Sequence, residues 1–218
     1  MAGASLSKMG RYDWYQNTDW NAYIEAQFLE KLGRTRKKSD YLLIQAHCLA
    51  SRHPQAALDL LDKYFALGDH FLLAHAFFDQ ATAYATLNQI DDVIRSLRKA
   101  IAREREFPNV ITSAWSEFAI LVATRKLDQH FQEARGLLSE KQSSIRLLPV
   151  ERFQWHAANA LILAAVGDDK ASQEHATKAL SFAKARHSGL RYHSKLGLVG
   201  SNYEALQDRL LVLSRPPS

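Results

Sequence analysis

The chain has 218 residues, 47% of them hydrophobic and 23% charged, with a formal charge of +5. That balance suits one large domain or two small ones around a substantial core and argues against wholesale disorder. The longest strongly apolar run, Ala160 to Val166, is far too short to span a bilayer, the first ten residues lack the apolar stretch of a secretory signal, and Cys48 alone builds no disulfide framework.

The cytosol is therefore the expected compartment, with no membrane partner. Nine glycines and five prolines leave few turns, as in an all-helical chain. From Lys184 onward six basic residues (Lys184, Arg186, Arg191, Lys195, Arg209, Arg215) face two acidic ones, Glu204 and Asp208, whereas the preceding chain is nearly balanced. A second basic cluster is Lys31, Arg34, Arg36, Lys37 and Lys38. Such patches attract nucleic acid or acidic partners, or simply keep a surface solvated.

In chain order, residues 1–16 read as an aromatic arm, with Arg11-Tyr12-Asp13-Trp14-Tyr15 expected to dock on the body. Asn17 or Thr18 is placed to cap a helix beginning near Asp19, in which Trp20, Ile24, Phe28 and Leu32 recur on one face before Gly33. Ser39-Asp40 again offers cap chemistry, followed by the stripe Tyr41, Ile44 and Cys48. Pro54 suits the first turn of the next helix, whose inner face is Ala57, Leu61 and Tyr64, closed by Gly68-Asp69.

The most regular stretch is Ala74 to Pro108, two amphipathic helices joined at Leu87-Asn88-Gln89. Phe77, Ala81 and Tyr84 form one stripe, Val93, Leu97 and Ala100 the other. Sliding Tyr41, Cys48, Ala57 and Leu61 forward by 36 residues lands on Phe77, Tyr84, Val93 and Leu97. That period marks a repeat whose units cover each other's apolar faces. A third hairpin carries Trp115, Phe118, Ala119 and Val122, a longer turn from Arg125 to His130, then Phe131, Ala134, Leu137 and Leu138. After Pro149 a fourth carries Phe153, Ala160 and Leu163, the turn Gly167-Asp168-Asp169, and Ala176 with Ala179-Leu180. Residues 187–200 read as an ordered loop, and Ser201-Asn202-Tyr203-Glu204 as a capping box starting a helix with Leu206, Leu210 and Leu213. That helix is expected to cover the open end of the stack, and Pro216-Pro217 to end the chain in an extended tail.

Over roughly residues 38–183 the hairpins resemble the tetratricopeptide repeat family. Phe77, Ala81, Tyr84, Asn88, Val93, Leu97 and Ala100 follow its motif, with Val93 in place of an alanine. The fourth hairpin follows it through Ala160, Leu163, Gly167, Ala176 and Ala179, while Gln45 and Tyr64 stand where small residues are expected. The resemblance implies an all-α fold: a short right-handed superhelix of about four hairpins, with an N-terminal helix and a C-terminal capping helix, in one domain over 1–218. It also implies that the first helix of each hairpin lines a concave groove for a protein or peptide segment. The positions so assigned are Leu42 and Ala46, then His75, Phe78 and Thr82, then Ser116 and Ile120. The lysine and asparagine that some relatives use to clamp a terminal carboxylate have no match at these positions, so an apolar segment or helix suits the groove better. Cover by the N-terminal arm or by another subunit is the competing reading.

No motif brings together nucleophile, base and acid, and no cofactor, metal or catalytic residue is expected. His70 and His75 are five apart and His187 and His193 six apart, neither a zinc-helix spacing. His47 adjoins Cys48, but neighbours on a helix diverge, and Cys48 reads as core. Asp91-Asp92 and Asp168-Asp169 suit helix first turns. The segment Lys184 to His193 sets Arg186, His187, Arg191 and His193 around Gly189, a candidate anion, phosphate or RNA contact. The leading expectation is a non-enzymatic adaptor that binds a protein segment, with homo-oligomerisation open. The alternative is a nucleic-acid-binding or regulatory module using the basic loop.

Overall fold

The structure, a computed structural model, describes residues 13–68, 71–142 and 148–215. These residues form ten α-helices and no strand. None of these helices is long and apolar enough to cross a membrane. The chain divides into two compact units, Met1–Ala114 and Trp115–Ser218.

The first unit holds α1 (Ala22–Gly33), α2 (Lys38–Leu49), α3 (Pro54–Ala66), α4 (Leu73–Thr86) and α5 (Ile90–Glu106). α2 packs on α3 and α4 on α5 as hairpins, and α4 also meets α2 and α3. Phe28, Leu42, Leu49, Leu61 and Tyr64 are core side chains, with Ala46, Ala57, Ala76 and Ala83 letting the helices approach. Pro54 opens α3 as expected, because its missing N–H sits where no intrahelical bond exists. Val93, Leu97 and Ala100 are buried on α5, and Asn88 takes φ +57° in the turn before it, a conformation asparagine tolerates. Near the end of α5, the buried Glu104 carboxylate accepts from the Thr112 backbone N–H at 2.8 Å and from the Thr112 hydroxyl. That hydroxyl oxygen in turn accepts from Ala114 N.

The arm docks where the structure describes it. Trp14 and Tyr15 lie in a 3-10 turn, with ring centroids 4.8 and 4.6 Å from that of Tyr41. Arg11 and Tyr12 lie outside the described residues. Neither Asn17 nor Thr18 caps α1. The helix starts at Ala22, and Asn21 Oδ1 accepts from the Tyr23 and Ile24 backbone N–H groups, both at 3.0 Å. Asn17 is already committed: its backbone N–H and side-chain amide donate to Gln45 Oε1 at 3.0 and 2.8 Å, and its carbonyl accepts from Gln45 Nε2 at 2.8 Å. The fully buried Gln45 thus clasps the incoming chain. Ser39-Asp40 supplies no cap either, since α2 begins at Lys38 and both residues fall within its first turn. The face of α2 runs through Leu42, Leu43, Gln45, Ala46 and Leu49, while Tyr41, Ile44 and Cys48 are only partly covered. Contact with neighbours on several sides shifts the buried arc away from the stripe expected from spacing alone. Cys48 is thus a half-covered rim residue and not core.

The second unit holds α6 (Ala114–Arg125, whose first residue belongs to the first unit), a 3-10 turn at Asp128–His130, α7 (Phe131–Gln142), α8 (Pro149–Ala165), α9 (Asp169–Ala183) and α10 (Glu204–Leu213). Trp115, Phe118, Ala119 and Val122 are buried on α6, and Ala134, Leu137 and Leu138 on α7. α8 and α9 form a tight hairpin, turned by Gly167 at φ +83°. Asp168 caps α9, its carboxylate accepting from Ala171 N at 3.2 Å. Phe153, Ala157, Ala160, Ala176 and Ala179 build a core that Leu210 completes, with Leu206 and Leu213 packed against it. α10 does cover this core. Its start is not a capping box, because Ser201–Tyr203 winds as a 3-10 turn and Tyr203, whose side chain makes no cap bond, occupies the cap position. Instead the Tyr203 hydroxyl accepts from Gln154 Nε2 at 2.6 Å, tying the turn to α8. The loop before it is ordered, as expected: Ser188 Oγ donates to His193 O at 2.7 Å and accepts from Leu190 N. Pro216 and Pro217 lie outside the described residues.

Candidate functional site

The expected groove residues do not all offer surface. Leu42 and Ala46 are buried in the core of the first unit, and Ser116 is fully buried on α6. For Leu42 and Ala46 the reason is packing: α2 meets α4 as well as its own partner α3, so these positions are sealed. His75, Phe78 and Thr82 remain half-exposed on α4, with the Thr82 hydroxyl donating to Phe78 O at 3.2 Å. Ile120 is half-exposed on α6, in the other unit. The basic loop behaves differently. Arg186, His187, Arg191 and His193 are all exposed around the turn fixed by Ser188, with the Arg191 guanidinium 5.3 Å from the Tyr192 ring centroid. His70 lies outside the described residues.

Two polar pairs escaped the sequence reading. On α2, exposed His47 places Nδ1 2.8 Å from Asp79 Oδ1 of α4, and Asp79 is only 5% exposed. The carboxylate hydrogen bond and charge push the His47 pKa above its usual value. Burial, then the same carboxylate, pushes the neighbouring Cys48 thiol up, so the thiolate needed for nucleophilic chemistry is disfavoured. On α8 and α9, His156 and His175 bring their Nδ1 atoms to 3.2 Å, against Trp155 and Phe182. Burial first, then His175 and the cations Lys178 and Arg152, push His156 down to about 4. Burial and Lys178 also lower His175, against the pull of Glu174. Both rings are therefore neutral at pH 7, one donating to the other. Each pair braces two helices, and a pairing 32 or 19 residues apart leaves no local signal.

Two clefts offer room for a ligand. In the first unit a cleft of about 440 Å³ is lined by Asp62, Phe65, Leu73, Phe77, Gln80 and Lys99. Phe65 and Phe77 stack at 5.0 Å, and Lys99 Nζ sits 5.3 Å from the Phe77 centroid, so its charge is already engaged with the ring face. Asp62 and Lys99 oppose one another, leaving this cleft no net preference of sign.

The second unit has a cleft of about 360 Å³ between α6, α8 and α10. α8 and α10 each contribute residues three or four apart, the spacing that shares a helical face, and α6 contributes Ala123 together with Lys126 of the turn that follows it, at φ +54°. The α8 and α10 residues are Leu161 with Ala164 and Ala165, and Arg209 with Val212 and Leu213. Leu161 forms part of the buried floor, whereas Val212 is 65% exposed. Lys126 and Arg209 are exposed at the rim, and neither makes an ion pair among the described residues. The combination is apolar surface edged by two cations. A sequence signal did exist: Val212 sits between the inner-face positions Leu210 and Leu213, so α10 is apolar on more than its core side.

No family model, curated protein or solved structure matches this chain.

Proposed function

We propose that the chain is a tetratricopeptide-like, non-enzymatic adaptor that binds a protein segment in the α6–α8–α10 cleft. The supporting observation is that cleft itself. Its walls are first helices of successive hairpins followed by the terminal helix, and its apolar surface remains open between two unengaged cations. The repeat reading rests on the 36-residue period and on the hairpins α2–α3, α4–α5 and α8–α9. The single, half-covered Cys48 accords with a cytosolic setting. The two histidine pairs have structural work as helix braces, which supports an adaptor over an enzyme.

A double variant Ala165→Gln/Val212→Asn adds polar bulk to the cleft without changing charge, at two exposed positions. Capture of the native partner, identified by comparison with wild type, is expected to fall at least about tenfold while far-ultraviolet circular dichroism stays unchanged. Undiminished capture overturns the assignment of the cleft.

A second reading has its own observation, the four exposed basic or titratable side chains of the Arg186–His193 loop. RNA or DNA retention at low salt, lost in Arg186→Ala/Arg191→Ala, is its expected outcome. No retention at low salt removes it.

A further inference from the structure

The terminal helix α10 is a cap on one side only. Leu206, Leu210 and Leu213 close the α8–α9 core, and in a stacked-hairpin protein the outer side of such a helix is expected to be polar. Here Val212, on the cleft side, is 65% exposed, and Val166, one residue past the cleft residue Ala165, is 47% exposed. Apolar surface of this kind, edged by charge, marks a contact site.

The charge around it selects the partner. The second unit carries fourteen basic and ten acidic residues, so it holds nearly all the excess positive charge of the chain. A second copy of the same surface would bring like charges together, which costs affinity. We propose that the cleft and the adjoining edge of α10 dock an acidic amphipathic helix of a partner protein. Its apolar stripe packs on Ala164, Ala165 and Val212, and its carboxylates pair with Lys126 and Arg209. This rests on the protein-binding reading of the cleft and adds the chemistry of the occupant. A helix suits the site because residues at i, i+3 and i+4 match the spacing of an apolar floor walled by three helices. Asp208, one turn before Val212 on α10, is the one carboxylate of that helix flanking Val212, and it opposes such an occupant.

The test is selection from a displayed library of randomised helical peptides on the full-length protein, followed by affinity measurement of the enriched peptides. Expected are peptides with Leu, Ile or Phe at i, i+4 and i+7 flanked by Asp or Glu. Their affinity should fall about tenfold or more in Ala165→Gln/Val212→Asn, and about three- to tenfold in Lys126→Glu and in Arg209→Glu. Asp208→Asn should tighten them, which a merely unfolded variant cannot do. Peptides that depend on Ala165 and Val212 but are neutral or basic overturn the acidic occupant and leave the cleft reading standing. Peptides indifferent to Ala165→Gln/Val212→Asn, or no enrichment at all, overturn both.

Discussion

At His156 the local surroundings settle a protonation state, and with it a pH dependence. Burial and nearby cations hold its pKa down to about 4, below the value of about 6.5 in an unfolded chain. Between those limits the unfolded chain binds a proton that the folded one refuses, so stability falls as pH drops from about 6.5 towards 4. His175 is shifted the same way. Because His156 is about half solvated, the contribution is discounted to about 1 kcal/mol. Denaturant midpoints measured from pH 6.5 to 5, where most carboxylates remain ionised, should decline in the wild type and flatten in His156→Asn/His175→Asn. Equal slopes in both would show that the pair does not titrate as described. His47 runs the other way: its raised pKa gives stability that is present below about 6.5 and lost as pH rises through the folded value. The two braces thus weaken at opposite ends of the neutral range, one in each unit.

Between α2 and the arm, one fully buried glutamine holds the two together. Gln45 makes three hydrogen bonds to Asn17, and next to it the Trp14 and Tyr15 rings pack at a tilt against Tyr41. Gln45→Ala should destabilise the protein by about 2 kcal/mol and expose Trp14, red-shifting tryptophan emission. A neutral or stabilising effect would mean that the clasp contributes nothing beyond filling space. The same element shows why some of the fold was legible and some was not. Pro54, Asn88 and Gly167 mark turns because their backbone requirements are local, and the α5 face is readable because its apolar positions recur without interruption. Ser39-Asp40 and Ser201 to Glu204 carry cap chemistry without capping, since the side chain matters only if the helix begins at that residue. Leu42, Ala46 and Ser116, which the resemblance assigns to a groove, are buried for a related reason: helical spacing fixes which residues share a face, but not how wide an arc the neighbours cover.

Across the whole chain the charge gradient and the open apolar surface fall in the same half. The excess of basic residues near the C-terminus is legible in the sequence, but the pairing of Lys126 with Arg209 is not. These two are 83 residues apart, and only the packing of α6 and α10 around α8 brings them to one rim. The histidine pairs were hidden for the same reason, their partners lying on different helices. The all-helical class is therefore legible in the sequence, whereas the site depends on pairings between helices. The central claim, that the α6–α8–α10 cleft receives a protein segment, is tested most directly by methyl-labelled NMR titration with a partner segment identified by capture. The account predicts shifts centred on the Leu161, Val212 and Leu213 methyl groups. Shifts confined instead to the exposed face of α4 around His75, Phe78 and Thr82, or to the Arg186–His193 loop, would contradict it.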